Sequence, residues 1–123
     1  MTKKNKKFTA KIVGQISEET ATENNIPEFA NVEIVQSTKL DIHTNKHASE
    51  FFSIDSYYKT LMNINEIINN PYYIEYDEKK QSLKYYGKIE QYVCVVVKLD
   101  KKGPFVSTVY PQGKTKIDKL KAL

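Results

Sequence analysis

The sequence has few of the residues that often carry chemistry or cross-links. Its 123 residues include one cysteine, two histidines and no arginine, since all nineteen basic residues are lysine. The single Cys94 leaves no disulfide framework, and its valine-rich surroundings favour a buried, inert thiol over a nucleophile. No apolar run approaches the roughly 20 residues of a membrane span. The basic start is not followed by the apolar segment of a signal peptide, so we expect a cytoplasmic protein with no membrane partner.

Several common active-site patterns are also missing. The chain has no glycine-rich phosphate loop, no Walker motif and no cysteine spacing typical of zinc sites. No pair of carboxylates stands out for glycoside chemistry. The sequence therefore predicts no cofactor and no metal.

The composition indicates one folded, mildly basic domain. A hydrophobic content of 40% with 11% aromatic residues argues against disorder. The formal charge of +4 and the isoelectric point near 9.0 suit a polyanionic partner such as nucleic acid, but they also suit plain solubility. We predict a single domain over residues 1–123, with a basic N-terminal tail at 1–7, a core at 8–112 and a lysine-rich C-terminal tail at 113–123.

Hydrophobic periodicity places helices before most of the strands. The predicted strands span residues 8–16, 32–35, 72–76, 83–89, 92–99 and 105–110. The predicted helices begin at Ser17, at Ser37 and at either Ser53 or Asp55. The helix from Ser37 extends to about Glu50. Short connections between the last four strands predict antiparallel hairpins. The fold class is therefore α+β, with an N-terminal strand and helices packed on a C-terminal four-stranded antiparallel meander sheet.

Both histidines lie in the helix predicted from Ser37. His43 and His47 are four residues apart and so share a helix face, with Lys39 and Lys46 near the same face. In a functional interpretation, an imidazole exchanges a proton near neutral pH while a lysine stabilises phosphate charge. Two other interpretations stay open here. The histidines could be one core and one surface residue, or they could share a zinc ion, which the lysine beside His47 disfavours.

The last predicted strand and several tyrosines offer polar groups that suit a nucleic acid. Thr108 and Tyr110 share one strand face, and Ser107 points to the other. A hydroxyl can bind a phosphate oxygen, and tyrosines near lysines, such as Tyr86 near Lys84, can stack on unpaired bases. Threonine and tyrosine are also ordinary strand residues, so structural and functional interpretations both stay open.

Four stretches together resemble the phage-encoded members of the barnase–EndoU–colicin–RelE-like nuclease superfamily. They are residues 39–47, which read Lys-Leu-Asp-Ile-His-Thr-Asn-Lys-His, residues 64–71, and the strands at 92–99 and 106–111. The resemblance covers the core at 8–112. It implies an α+β, metal-independent endoribonuclease, toxin-like and encoded by a phage, prophage or mobile element. In that scheme a base activates the ribose 2′-hydroxyl and leaves a 2′,3′-cyclic phosphate.

The resemblance also implies roles for particular residues. His47 matches the motif histidine that acts as general base or acid, Lys46 would stabilise the phosphorane, Thr108 would hold the phosphate, and Tyr110 would assist. The substrate-binding candidates are His43, Lys39, Ser107, Lys84 and Tyr86, with a structural role as the alternative for His43. The family often has arginine where Lys46 stands, and lysine lacks the bidentate phosphate geometry of arginine.

The implied partners are RNA, with tRNA as one candidate, and a cognate inhibitor protein. The alternative function is a non-catalytic nucleic-acid- or protein-binding module on the same fold.

Overall fold

The computed structural model describes residues 10–121, so the basic segment at 1–7 and the first two residues of the predicted core lie outside the described residues. The strands are β1 (Ala10–Gln15), β2 (Glu33–Ser37), β3 (Tyr73–Asp77), β4 (Ser82–Ile89), β5 (Gln91–Lys98) and β6 (Phe105–Pro111). The α-helices are α1 (Glu18–Glu23), α2 (Leu40–Thr44), α3 (Ile54–Met62), α4 (Ile64–Asn69) and α5 (Lys114–Lys121). Short 3-10 helices occupy Pro27–Phe29 and Asn45–Glu50.

The six strands form one mixed sheet in the order β1-β2-β6-β5-β4-β3. This confirms the α+β class, but the predicted four-stranded antiparallel meander does not describe the sheet. Strands β3 to β6 do pair antiparallel with their sequence neighbours. The sheet is larger because β1 and β2 pair with each other and join it through a parallel contact between Val35 and Phe105. Local periodicity does not encode a contact between residues so far apart in sequence.

Two of the predicted helix starts are confirmed by side-chain caps. Ser17 Oγ accepts a hydrogen bond from the Thr20 N–H at 3.0 Å, and Ser53 Oγ accepts one from the Ser56 N–H at 3.0 Å. These caps satisfy N–H groups that the first turn of a helix leaves without a partner. Helices α1 and α3 therefore begin directly after Ser17 and Ser53.

The helix predicted from Ser37 to Glu50 is wrong in its start and its length. Helix α2 begins at Leu40, because Ser37 Oγ instead accepts from the Lys39 N–H at 3.0 Å in a local turn. After Thr44 the chain tightens into the 3-10 helix, which has three residues per turn. The two histidines therefore do not share the face of one α-helix.

One face of the sheet is covered by helices and forms the main core. The inner side chains of β5 are Val93, Val95 and Val97, all fully buried. Helix α4 approaches closely because β4 has a glycine opposite it: a Cβ on Gly87 would lie 2.9 Å from Ile67 Cγ2. The strand residues that alternate with this core point to the other face. No helix within residues 10–121 is long and apolar enough to cross a membrane.

Candidate active site on the second sheet face

The face opposite the main core carries two cross-strand rows of polar and aromatic residues. One row consists of Tyr73, Tyr86, Cys94 and Tyr110, and the next consists of Glu75, Lys84, Val96 and Thr108. We call these two rows, with Tyr92, the tyrosine face. Tyr86 and Cys94 form its buried centre, packed against the partly buried Tyr73, Tyr92, Val96 and Tyr110. Four of the predicted residues of β4 and β6 thus lie on this one face, namely Lys84, Tyr86, Thr108 and Tyr110.

Hydrogen bonds link Tyr86, Cys94 and Tyr110 within the first row, and Tyr86 also bonds to Glu75 of the second row. The Tyr86 hydroxyl donates to Glu75 Oε1 at 2.7 Å. Burial raises the pKa of the Cys94 thiol to about 11, although hydrogen bonds with Tyr110 and Tyr86 oppose that rise. Burial also raises the pKa of the Tyr110 hydroxyl well above its usual value. Cys94 is fully buried and protonated at neutral pH, as the sequence predicted for an inert thiol.

His47 lies beside this row at the Tyr110 end. The centroid of its imidazole is 5.6 Å from that of the Tyr110 ring, and the two planes are inclined by 48°. Its Nδ1 is 2.8 Å from Glu50 Oε2, and 24% of the side chain is exposed. A carboxylate accepts hydrogen bonds, so the neutral imidazole carries its proton on Nδ1 and leaves the Nε2 lone pair free. This tautomer suits a base.

Glu50 is a site residue that the sequence interpretation missed in this role. Glu50 follows His47 by three residues, which places them on one side of a 3-10 helix. Residues three apart are neighbours on an α-helix as well, so the spacing alone does not distinguish this pair from other such pairs in the chain.

Thr44 was missed as well, and it fixes α2 to β6. Its buried Oγ1 donates to the Val109 carbonyl at 2.7 Å and accepts from the Val109 N–H at 2.9 Å. It also lies 3.0 Å from Thr108 Oγ1. Because the one hydroxyl proton of Thr44 goes to Val109, the Thr108 hydroxyl must donate to Thr44. The exposed turn with His47 begins directly after this attachment.

The other predicted residues close to His47 in sequence differ in their surroundings. Lys46 is exposed and makes no ion pair within the part of the chain that the structure describes. Lys39 and His43 line a groove of about 710 Å³ with Phe105 and Lys102. Phe105 is three residues before Thr108 on β6, so the groove adjoins the tyrosine face. His43 is exposed, which rules out the packing role that was its alternative.

The other substrate-binding candidates differ in accessibility. Tyr86 is only 1% exposed, so the prediction that it contacts a substrate is wrong: its side chain is buried by its own row and bound to Glu75. The Lys84 ammonium is 3.7 Å from Asp77 Oδ2. Ser107 is half-buried at a bulge, between the pairs Val96–Thr108 and Val97–Val106. The bulge keeps Phe105 and Thr108 on one face despite their odd spacing.

The described residues contain no cluster of three or more His, Cys, Asp or Glu side chains that could hold a metal ion. Asp41 accepts a short hydrogen bond from the Tyr57 hydroxyl. Glu50 is bonded to His47. The two acidic residues nearest the histidines in sequence are therefore already engaged within the protein.

A family model described as phage-Barnase-EndoU-ColicinE5/D-RelE like nuclease3 matches residues 11–119. The chain belongs to this nuclease family. No curated protein and no solved structure matches the chain. The family match extends past residue 112 into α5, which lies in the segment that we predicted to be a lysine-rich tail.

Proposed function

We propose that this nuclease is an endoribonuclease that cleaves RNA without a metal ion, with His47 as its acid and base. The observation that carries the proposal is the His47 imidazole, oriented by Glu50 and placed against Tyr110. A partly exposed imidazole with a carboxylate on Nδ1 is arranged for proton transfer at Nε2. A histidine with only a surface role needs neither contact.

The proposed reaction uses the ribose as its own nucleophile. His47 Nε2 takes the proton of the 2′-hydroxyl while the 2′ oxygen attacks phosphorus. The imidazolium then returns this proton to the departing 5′ oxygen. The bond from phosphorus to the 2′ oxygen forms, the bond to the 5′ oxygen breaks, and a 2′,3′-cyclic phosphate and a 5′-hydroxyl remain. The Glu50 carboxylate stabilises the imidazolium between the two transfers, in the way a buried aspartate does in hydrolase triads.

Lysines supply the charge that the phosphate requires. Lys46 is next to His47 and has no acidic partner among the described side chains, so its ammonium is available to the phosphorane. Lys39, His43 and Lys102 line the groove beyond Phe105, where the RNA backbone would continue.

Thr108 can bind a phosphate oxygen only by redirecting the proton that it now donates to Thr44. We therefore assign the main electrostatic role to the lysines, and a supporting contact to Thr108.

Incubation with RNA in EDTA tests the proposal. The purified protein should cut at least one RNA in a panel of tRNA, rRNA and mRNA between about pH 5 and pH 8, where imidazole titrates. Mass spectrometry of the fragments should show 2′,3′-cyclic phosphate ends. His47→Ala should abolish the cleavage. Lys79→Ala is the matched control, because Lys79 is an exposed lysine in the turn between β3 and β4.

The outcomes separate a nuclease from a binding module. Intact RNA throughout the panel, or cleavage that needs a divalent ion, would contradict the proposal. Salt-dependent RNA binding without cleavage, unchanged in His47→Ala, would instead identify a non-catalytic nucleic-acid-binding module.

A further inference from the structure

A second pocket adjoins the candidate active site on the side away from the groove of Lys39 and His43. Its volume is about 560 Å³, and its walls include Glu50, Phe52, Lys88, Tyr92 and Gln112. Gln112 and its neighbours follow Tyr110 along the chain, so β6 runs from one cavity past the candidate centre to the other. None of the residues Phe52, Lys88 and Tyr92 has a part in the proton transfer.

Glu50 connects this pocket directly to His47. Its carboxylate accepts the hydrogen bond from His47 Nδ1 at 2.8 Å and also forms part of the pocket wall. A group bound in the pocket would therefore be a near neighbour of the group whose proton His47 takes. In an RNA chain, that neighbour is the adjacent nucleotide.

Phe52 is the most exposed large hydrophobic residue in the described chain, at 77%. Its backbone is nevertheless fixed, because the Phe52 N–H donates to Gln91 Oε1 at 2.8 Å. Single exposed apolar residues are common on protein surfaces. This one differs because it borders a pocket with a second aromatic residue and a cation. An aromatic ring on an anchored backbone is a suitable stacking platform for a base.

Lys88 and Tyr92 provide the cation and the second ring. Lys88 Nζ lies 5.1 Å from the centroid of the Tyr92 ring, and Lys88 makes no ion pair with any acidic side chain in residues 10–121. Of the two carboxylates in the pocket wall, Glu50 is bonded to His47 and Glu90 is paired with Lys59 at 3.0 Å. Lys88 is therefore a cation of this pocket without a carboxylate partner, and its ammonium can bind a phosphate.

We propose that this pocket receives one unpaired nucleobase of the RNA, stacked on Phe52, with an adjoining phosphate on Lys88. The inference rests on the proposed ribonuclease function and narrows its substrate to RNA that is single-stranded beside the cleaved bond. A base within a duplex would first have to leave the stack at a cost in free energy, so the pocket favours a base that is already unpaired.

Oligoribonucleotides with one abasic position test the subsite during cleavage. With the wild-type protein, an abasic nucleotide at one fixed offset from the cleaved bond should slow cleavage about tenfold, which is typical of a lost base–aromatic stack. Phe52→Ala should cut intact RNA more slowly by a similar factor and be insensitive at that offset. Phe52→Trp should behave like the wild type. Met62→Ala is the matched control, since Met62 is 73% exposed and lies on α3, outside this pocket.

Binding to catalytically inactive protein separates failure of the subsite from failure of the ribonuclease. Fluorescence anisotropy with His47→Ala protein should show that a single-stranded RNA binds more tightly than the duplex of the same sequence, and that adding Phe52→Ala weakens binding about tenfold. If the wild type never cleaves but this Phe52-dependent binding appears, the base pocket stands and the ribonuclease proposal falls. Equal behaviour of Phe52→Ala and Met62→Ala in both experiments, or no binding of single-stranded RNA, overturns the pocket.

Discussion

The two faces of the sheet are built from alternate residues of the same strands, yet they have different chemistry. On the helix-covered face, β5 contributes Val93, Val95 and Val97 to a continuous apolar core. On the tyrosine face, the residue between two of these valines, Cys94, lies within a row of hydroxyl and thiol groups. The difference teaches that the helix-covered face supplies the apolar core, whereas the tyrosine face carries polar side chains next to the histidine to which we assign the chemistry.

The largest expected effect on the tyrosine face is a loss of activity without a loss of stability. Replacing His47→Gln keeps a hydrogen-bonding group near Glu50 but removes the exchangeable proton near neutral pH. We expect the cleavage rate to fall about 10²–10⁴-fold, equivalent to about 3–5 kcal/mol of transition-state stabilisation. The free energy of unfolding should change by less than about 0.5 kcal/mol, because the side chain is partly exposed. Paired cleavage assays and denaturant titrations check both numbers.

On the helix-covered face, we expect a substitution to lower the stability and to leave the cleavage rate unchanged. Ile67 is 1% exposed and contacts the β4 backbone where Gly87 leaves room for it. Ile67→Ala should lower the free energy of unfolding by about 2–5 kcal/mol through lost burial and a residual cavity. The rate per folded molecule should stay near that of the wild type. A large drop in that rate, measured where the variant is still folded, would contradict the division between the faces.

Thr44 contacts Thr108 of the tyrosine face and the backbone of Val109 in the core, so its replacement should affect both the cleavage rate and the stability. Thr44→Val keeps the shape but leaves the Val109 N–H and carbonyl without their partner. An unsatisfied buried polar group costs about 1–3 kcal/mol, and we expect a destabilisation in that range. Cleavage should slow as well, since α2 and the His47 turn lose their attachment to β6. Thr44→Ser, which restores the hydroxyl, is the control and should recover most of both losses.

How much of this arrangement the sequence predicts depends on how local each cause is. Ser17 and Ser53 predict the starts of their helices because a cap involves only a few neighbouring residues. Strands β3 to β6 follow from a period of two and short turns. The pairing of β2 with β6 depends on residues distant in sequence, and no local pattern encodes it.

The candidate site follows the same rule. His47 stands out because histidine is rare in this chain and has a pKa near neutrality. The contribution of Thr44 becomes visible only in three dimensions, because its partner lies on β6. The contact between Glu50 and His47 depends on side-chain orientations that their spacing in the sequence does not fix. The prediction that Tyr86 contacts a substrate is wrong for a related reason, since its side chain is buried. Alternation assigns a residue to a face but does not show how deeply that face is buried.

The buried thiol predicts how stability depends on pH. Burial raises the pKa of Cys94 to about 11 from an ordinary value of 9.0, so the unfolded chain loses this proton at lower pH than the folded protein. The contribution of Cys94 to the free energy of unfolding should therefore be constant below about pH 8 and fall by roughly 2 kcal/mol between about pH 9 and about pH 11. Urea titrations across this range measure the slope. Cys94→Ala should flatten it, leaving the part due to buried tyrosines, and an unchanged slope would contradict the assignment.

The smallest effect tests whether Glu50 positions His47. Glu50→Gln keeps the size and a hydrogen-bonding oxygen but removes the charge that stabilises the imidazolium. We expect about a tenfold loss in the cleavage rate, in keeping with one charged hydrogen bond. Stability should be unchanged, because half of the Glu50 side chain is exposed. In the background of His47→Gln, the same substitution should have no further effect, since a positioning residue acts only through the group that it orients. A full tenfold loss there would show that Glu50 acts on the RNA directly, from the wall of the base pocket.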